Sequence, residues 1–188
     1  MRFTSIPLIA GFLILALLGP ARAEIIIKVN KNAQEMTVIR DGDVLYTWPV
    51  STGRTSYATP SGSYPAFRME AEHYSKEWDD APMPHSIFFT KFGHAIHGSY
   101  DTKNIGAPVS HGCVRLSPAH AATLFAVVKQ DGVANTKVIV TGSEQAALGR
   151  AKSSRSMLEQ AEEDRSEQPR FMPNEASLQQ QIFITPPH

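Results

Sequence analysis

The segment from residue 92 to residue 116 holds the single cysteine of the chain and three of its seven histidines. Within it, a His97-Gly98 pair is followed, after a spacer, by the run SHGCVR at residues 110–115. A cysteine is a useful nucleophile only as its thiolate, so a catalytic cysteine needs a neighbour that takes its proton. His97 and His111 are the two candidate bases for Cys113.

The backbone around the cysteine also suits acyl-transfer chemistry. His111 and Cys113 are two residues apart, so their side chains point to the same side if the segment is extended. Gly112 lets the backbone turn closely beside the thiol. The amides of Gly112 and Cys113 would then face the oxyanion that forms when a thiolate attacks a carbonyl. We therefore predict that these two amides contribute an oxyanion hole.

A zinc site is the rival interpretation, because cysteine and histidine are common zinc ligands. Its ligands would be His94, His97, His111 and Cys113. Apolar neighbours predict a strand over residues 92–98, in which His94 and His97 point to opposite faces, and this is a poor ligand pair. The nucleophile is favoured, with His94 as a flanking or substrate-side residue. An inert, buried cysteine is a third interpretation.

This segment closely resembles the active-site signature of the L,D-transpeptidases of bacterial cell walls, the YkuD-domain family. The resemblance rests on His97-Gly98, the spacer and the run at residues 110–115. It implies that Cys113 is the acyl-forming nucleophile and that His97 is the base that activates it. A backbone carbonyl just after the histidine, from Gly98 or Ser99, is implied to orient His97.

The same resemblance implies roles for the remaining residues of the motif. His111 would lie near the thiol and the oxyanion. Arg115 would hold or order the site, and Ser110 is a candidate substrate-binding residue beside it.

The resemblance implies an enzyme that acts on peptidoglycan stem peptides. Cys113 would attack the carbonyl of the third stem residue, and the terminal D-alanine would leave. An amine from another stem, from a protein or from a free D-amino acid would then take the acyl group. Water as the acceptor would make the enzyme an L,D-carboxypeptidase. A hydrolase on the same scaffold that cleaves wall crosslinks or protein–wall links, and a non-catalytic wall-binding module, are further alternatives. No metal or organic cofactor is implied, because the thiol supplies the covalent chemistry.

Residues 1–23 predict a secretory signal peptide. Arg2 gives the positive start, an apolar run covers residues 6–18, and an A-x-A cleavage site ends at Ala23. The apolar run is too short to favour a stable membrane anchor, although an uncleaved anchor is the alternative. A single cysteine in an exported chain pairs between chains or stays a free reactive thiol. We expect a periplasmic, cell-wall-associated protein.

Charge argues against one class of partner. The chain carries 18 basic and 18 acidic side chains. It shows no basic run or face, so nucleic acid is not an expected partner.

The elements that must position this segment are mainly strands. Residues 24–30, 34–40 and 44–50 are rich in Ile and Val and are separated by turn residues, which predicts an antiparallel meander. Residues 50–53 (VSTG) and 59–62 (TPSG) resemble family patterns and are assigned structural roles, with a place along the cleft. Residues 136–141 predict a final strand.

One helix is well marked after the cysteine. Ser117 is a good N-cap, Pro118 suits the first helical position, and Gly132 follows the end. Apolar residues recur at helical spacing at positions 121, 124, 125 and 128. The fold class is therefore mainly β with one prominent helix after the cysteine loop. The family resemblance, which covers residues 24–142, implies a β-sandwich-like or mixed-sheet YkuD fold.

The 69–86 segment interrupts the strand pattern with mixed charges, aromatic residues and prolines. A long loop in a compact domain is usually functional or mobile. We interpret it as a flap over the cleft, with Tyr74 and Trp78 as candidate substrate contacts. An ordinary surface excursion, with its aromatic residues packed on the core, is the alternative.

Residues 143–188 form a low-complexity tail. They are rich in Glu, Gln, Ser, Arg and Pro with few aromatic residues, so they bury little surface and are predicted to be disordered. A short charged helix over residues 154–168 is the alternative within this tail. The predicted organisation is thus a signal peptide (1–23), a catalytic domain (24–142) and the tail.

Overall fold

A computed structural model of the protein describes residues 23–167. The predicted signal peptide, apart from Ala23, and the tail beyond residue 167 lie outside the described residues. The chain divides into two units, residues 1–150 and residues 151–188. The candidate site lies in the first unit.

The elements of the described part are, in chain order, β1 Ile25–Asn30, β2 Glu35–Arg40, β3 Asp43–Pro49, β4 Gly62–Pro65, β5 Arg68–Glu70, β6 Tyr74–Ser75, β7 Ala81–Pro82, β8 Ser86–Phe88, β9 Ala95–Gly98, β10 Val114–Leu116, α1 Pro118–Asp131, β11 Thr136–Thr141 and α2 Glu144–Glu167. Short 3-10 turns occupy Thr55–Tyr57, Thr102–Asn104 and Val133–Asn135. The predicted meander strands, final strand and main helix agree with these bounds to within a residue. The mainly β fold with one prominent helix is therefore confirmed.

Five strands form the first sheet in the order β3-β2-β1-β11-β4. β1 pairs antiparallel with β2 and parallel with β11. Its alternate residues Ile25, Ile27 and Val29 are fully buried, as expected of a strand whose successive side chains point to opposite faces. This alternation fixes the register, because a one-residue slip would turn the buried set to solvent.

The second sheet, in the order β10-β9-β8-β5, carries the candidate site. β9 and β10 run parallel, and His97 lies opposite Arg115 in their register. All four residues of β9 are buried. Ile96 and Val114 belong to the same hydrophobic core as β1 and β2 of the first sheet. The strands of the site therefore rest on a shared core, which limits their movement.

The helix α1 forms for the reasons that the sequence indicates. The Ser117 hydroxyl accepts the His120 N–H at 3.3 Å, and Pro118 occupies the first turn. Gly132, with φ 94°, ends the helix and donates its N–H to the Val128 carbonyl at 2.8 Å. The residues that α1 buries are Ala121, Leu124 and Val128.

Gly98 lets α1 approach the catalytic strand closely. A Cβ at this position would lie 3.1 Å from Cγ of Pro84, 3.3 Å from Cβ of Ala121 and 3.3 Å from Cα of Pro118. These distances are shorter than ordinary carbon contacts, so a larger residue would push the helix and β9 apart. The glycine after His97 thus has a packing role in addition to its place in the motif.

Two local predictions near the cysteine are wrong. The strand predicted over residues 92–98 begins only at Ala95, because residues 89–94 close a tight turn in which the N–H groups of Phe89 and Thr90 donate to the His94 carbonyl. The segment from Ser110 to Cys113 is bent and not extended, since Gly112 has φ 111°. The extended backbone on which the same-side placement of His111 and Cys113 depended is therefore absent from this segment.

The start of the predicted tail differs from the sequence prediction. Residues 144–167 form the helix α2, which begins ten residues before the short charged helix considered over residues 154–168. The side chains of residues 152–166 are exposed, in keeping with their low hydrophobicity. Ala, Leu, Glu, Gln, Lys and Arg are strong helix formers, and an Arg155–Glu159 pair at 3.1 Å adds local support. Within the described part of the chain, no helix combines the length and the apolar character needed to span a bilayer.

Candidate active site

Two adjacent strand segments bring the motif residues to one cavity. Cys113 lies directly before β10, and His97 lies in the neighbouring strand β9. Both line a cavity of about 750 Å³, together with His111 and Arg115. The parallel pairing of β9 with β10 therefore joins the two halves of a motif that a spacer separates in the sequence.

His97 is held in a single hydrogen-bonding state. Its Nδ1 lies 2.8 Å from the Gly98 carbonyl oxygen, and a carbonyl only accepts, so Nδ1 carries the proton. Burial lowers the pKa of His97 to about 4, although the bond to Gly98 raises it. The ring is thus neutral at pH 7, and its Nε2 has a free lone pair. This is the arrangement that a general base requires.

The surroundings of Cys113 favour the protonated thiol. Burial raises the pKa of the thiol above its usual range and outweighs a hydrogen bond with the Ala95 backbone and the charge of Arg115, both of which lower it. The sulfur lies 3.8 Å from the Gly93 carbonyl oxygen. A neutral thiol and a neutral imidazole thus line the same cavity.

Ser110 clamps the turn that carries the cysteine. Its hydroxyl accepts the Gly112 N–H at 3.1 Å and donates to the Cys113 carbonyl at 2.5 Å. The residue is fully buried. Ser110, predicted as a substrate-binding residue, therefore supports the loop, and the Gly112 amide, predicted to face an oxyanion, is engaged by the Ser110 hydroxyl.

A second layer of buried polar groups supports the same turn. Thr59 donates its hydroxyl hydrogen to the Gly112 carbonyl at 2.9 Å and accepts the Gly53 N–H at 2.8 Å. Gln34 bridges to Thr52, with its Nε2 2.8 Å from the hydroxyl and its Oε1 2.9 Å from the amide nitrogen. The VSTG and TPSG segments thus have the structural role that was predicted for them. No sequence pattern marks Gln34 as part of this support, because its contact with Thr52 forms only in the folded chain.

His111 lies among aromatic rings. It stacks on Trp78 with a centroid distance of 3.7 Å and an interplanar angle of 21°, and Tyr57 meets its edge at 5.1 Å. Burial lowers the pKa of His111, with further lowering by the charges of Arg54 and Arg115. His97, in contrast, has its Nδ1 bonded to the Gly98 carbonyl, which fixes the orientation of its ring.

The 69–86 segment borders the cavity, as a flap would. β6 and β7 pair as a short antiparallel hairpin, and Trp78 lies between them. Tyr74, which is 56% exposed, and Trp78 both line the cavity. Asp79 and Asp80 have φ values of 47° and 50°, a backbone that Asp tolerates better than most residues. The placement favours the flap interpretation over an ordinary surface excursion.

Ser99 and several residues that the sequence did not single out also line the cavity. Ser99 follows β9, and its N–H donates to the Leu116 carbonyl at 2.8 Å. His94, predicted as a flanking or substrate-side residue, lines the cavity, and the lining residues missed by sequence reasoning include Tyr57, Arg68, His73, Glu77 and Tyr100. Arg68 lies 3.6 Å above the Phe88 ring and pairs with Glu70 at 3.1 Å. These residues belong to loops and short strands without a motif, so no sequence signal marks them.

A zinc centre has no geometric support in the described part of the chain. Among residues 23–167, no group of three or more His, Cys, Asp or Glu side chains is arranged to hold a metal ion. The four residues considered as ligands instead contact separate partners: Gly98 for His97, Thr90 for His94, Trp78 for His111 and Gly93 for Cys113.

Comparison with known proteins gives consistent matches. The family model described as YkuD, L,D-transpeptidase catalytic domain, matches residues 24–140. The YqjB protein of Bacillus subtilis (strain 168) is 29% identical over 125 residues, covering 60% of this chain and 69% of the relative. L,D-transpeptidase 1 of Mycobacterium tuberculosis is 33% identical over 110 residues, covering 52% of this chain and 44% of the relative.

A solved structure supports the same assignment. It is that of the LD transpeptidase LdtMt1 in complex with imipenem, with 28% identity and a TM-score of 0.58. The match covers 63% of this chain and 59% of that chain. This chain therefore spans less than two thirds of that solved protein and less than half of the M. tuberculosis relative.

Proposed function

The chain belongs to the YkuD family of L,D-transpeptidase catalytic domains, and we propose that it is an exported transpeptidase that uses Cys113 to acylate itself with peptidoglycan stem peptides. One observation carries the proposal. His97, with Nδ1 bonded to the Gly98 carbonyl at 2.8 Å, lines the same cavity as the thiol. This is a nucleophile and an oriented base, the two groups that a thioester mechanism needs.

The reaction begins from the neutral pair. As Sγ of Cys113 bonds to the carbonyl carbon of the third stem residue, its proton passes to Nε2 of His97 and the carbonyl oxygen becomes an oxyanion. The tetrahedral species then breaks the C–N bond to the terminal D-alanine. The leaving nitrogen takes the proton from His97, and a thioester remains on the sulfur.

The second half reverses these roles. An amine attacks the thioester carbon while the neutral His97 takes the proton from the nitrogen. The sulfur then leaves and regains that proton, so the enzyme returns to its starting state. An amine of another stem peptide gives a crosslink, an amine of a protein gives an attachment to the wall, and water gives an L,D-carboxypeptidase.

Substrate contacts are proposed for residues around the rim of the cavity. Arg115 faces the site from β10 opposite His97, and its charge lowers the pKa of the neighbouring thiol. Trp78 and Tyr74 offer aromatic surface from the flap. His111 joins the flap to the motif through its stack with Trp78 and does not act as the base.

Imipenem is a proposed covalent probe of Cys113, since a related LD transpeptidase has been solved in complex with it. Attack of the sulfur on the strained lactam carbonyl would break the C–N bond of the ring, and the ring nitrogen would take the proton. The drug would then be retained whole as an acyl adduct on the protein.

The test uses a purified stem tetrapeptide with and without an added amine, followed by mass spectrometry of the products. With added amine, we expect release of the terminal D-alanine and a new peptide–amine product. Without it, we expect release only in the amount that acylates Cys113 or that the amine of a second stem peptide accepts. Loss of D-alanine without any amine product would establish the carboxypeptidase instead. Unchanged tetrapeptide under both conditions would refute the stem tetrapeptide as the acyl donor.

A further inference from the structure

His94 has no role in the acyl transfer between Cys113 and His97, although it lines the cavity that holds the thiol. It ends the tight turn of residues 89–94, whose amides at Phe89 and Thr90 donate to its carbonyl at 3.1 and 3.4 Å. It therefore directly precedes the strand β9 that carries the base. The two residues that flank it, Gly93 and Ala95, are those whose backbones contact the sulfur of Cys113.

Thr90 determines which nitrogen of His94 carries the hydrogen. The Thr90 hydroxyl oxygen accepts the His94 backbone N–H at 3.2 Å and lies 2.7 Å from Nδ1 of the same residue. Thr90 is only 8% exposed, so its hydroxyl hydrogen has little access to solvent, and Nδ1 is the acceptor within reach. Nδ1 therefore accepts, and the ring hydrogen is at Nε2.

His94 is also uncharged at neutral pH. Burial lowers the pKa of His94 below its usual value, and this effect outweighs the charge of Glu77, which raises it. A neutral imidazole has one N–H group, which Thr90 places on the edge of the ring that carries Nε2.

The Nε2 edge of this ring lies against the turn of the motif. A Cβ at Gly112 would be 3.0 Å from Cδ2 and 3.1 Å from Nε2 of His94. Gly112 also has φ 111°, so both its backbone conformation and this close approach require glycine. The His94 N–H is thereby held next to the residue that precedes the nucleophile.

This position matters because the Gly112 amide is already engaged by the Ser110 hydroxyl at 3.1 Å. An oxyanion is usually stabilised by two or more fixed donors, and the turn has lost one of them. We propose that the Nε2–H of His94 donates a hydrogen bond to the oxyanion formed at the attacked carbonyl, together with the backbone amide of Cys113. The proposal rests on the acyl transfer proposed for Cys113, and it adds His94 to the catalytic residues.

The test compares two reactions of the same sulfur. p-Nitrophenyl acetate acylates Cys113 through a tetrahedral oxyanion and needs no recognition of a peptide. Iodoacetamide alkylates Cys113 by direct displacement of iodide, and no oxyanion forms at the attacked carbon. The ratio of the two rate constants therefore reports oxyanion stabilisation, separately from the accessibility and the protonation of the thiol.

His94→Phe keeps an aromatic ring against Gly112 and removes the N–H donor. We expect the ratio of acylation to alkylation to fall about 100- to 1,000-fold, the usual loss for one donor of an oxyanion hole. His94→Gln, which retains a side-chain N–H, should recover part of the ratio. His120→Phe is the matched control, since His120 stacks on Trp48 and does not line the cavity, and it should leave the ratio unchanged.

Thr90→Val is a second variant that leaves the ring in place. It removes the hydroxyl that fixes Nδ1 as the acceptor, so the ratio should fall, and Thr90→Ser should restore it. An unchanged ratio in both His94→Phe and Thr90→Val, or an equal loss in both reactions, would overturn the proposal, because His94 would then only pack against the turn. Failure of the wild-type protein on the tetrapeptide would refute the proposed substrate and would leave this ratio as a valid test.

Discussion

Ser110→Ala removes the hydroxyl that closes the turn around the nucleophile. In the wild-type protein this group accepts the Gly112 N–H at 3.1 Å and donates to the Cys113 carbonyl at 2.5 Å. The substitution leaves two backbone groups without a partner, one of them buried and the other partly buried. Each buried polar group left unsatisfied costs about 1–3 kcal/mol, and the partly buried carbonyl regains some solvation, so the free energy of unfolding should fall by roughly 2–4 kcal/mol.

The chemistry should suffer in the same variant. Without the clamp, the Gly112–Cys113 peptide is no longer held in one orientation, and the sulfur samples positions away from the carbonyl it attacks. We expect a lower kcat with little change in KM. A substrate-binding serine would give the opposite pattern, a raised KM with unchanged stability.

Urea unfolding and steady-state turnover of the tetrapeptide measure the two effects. Ser61→Ala is the control, since its exposed hydroxyl makes one bond, to the Gly142 carbonyl at 3.2 Å, away from the site. It should change the free energy of unfolding by about 0.5 kcal/mol or less. If Ser110→Ala were as stable as this control and turned over at the wild-type kcat, the two hydrogen bonds of the Ser110 hydroxyl would not hold the turn.

Three further predictions follow from the same geometry. Cys113→Ala should abolish turnover and the imipenem adduct while leaving the circular dichroism spectrum unchanged; an adduct that persists in intact-protein mass spectra would place the nucleophile elsewhere. Because burial lowers the pKa of His97 to about 4, the unfolded chain takes up a proton between about pH 6.5 and pH 4 that the folded chain resists. The free energy of unfolding should therefore fall as the pH falls through this window, and the fall should be smaller in His97→Gln. If the free energy of unfolding fell equally steeply with pH in the wild-type protein and in His97→Gln, His97 would not be buried and neutral. A chain ending at Arg150 keeps the whole first unit, including Ala147, which is 5% exposed. Its melting temperature and its reaction with the tetrapeptide should therefore match those of the full chain. A large fall in either would show that residues 151–188 complete the fold.

Most of the fold was predictable because its signals are local. Ser117, Pro118 and Gly132 specify the ends of α1 by hydrogen bonds and φ values that depend on a few neighbouring residues. The alternating burial of β1 follows from the period of a strand. The bond between His97 and the Gly98 carbonyl was anticipated from the family motif, and it also involves adjacent residues.

The differences from the sequence predictions concern two residues whose hydrogen bonds depend on the local backbone conformation, and one segment whose helix depends on intrinsic propensity. The task of Ser110 depends on the positive φ of Gly112, which turns an amide and a carbonyl toward one hydroxyl. The position of His94 depends on a turn closed by Thr90, where apolar neighbours indicated a strand. Low hydrophobicity predicts that α2 buries little, and it does, but it does not prevent a helix when the residues are good helix formers.

In the exported protein that we propose, the neutral resting state of the site also limits oxidation of the single thiol. Oxidation of a cysteine follows its thiolate character and its exposure, so a thiolate in an oxidising compartment is readily lost to sulfenic acid or a mixed disulfide. Burial keeps the Cys113 thiol protonated and keeps His97 from holding a permanent proton. The protonated thiol is a weaker nucleophile than a thiolate. An acyl substrate compensates for this lower nucleophilicity, because the developing negative charge then resides on the carbonyl oxygen, where fixed donors stabilise the charge, and not on the sulfur. The same burial that suppresses reaction with oxidants therefore makes reactivity conditional on a carbonyl placed between the sulfur and its oxyanion donors.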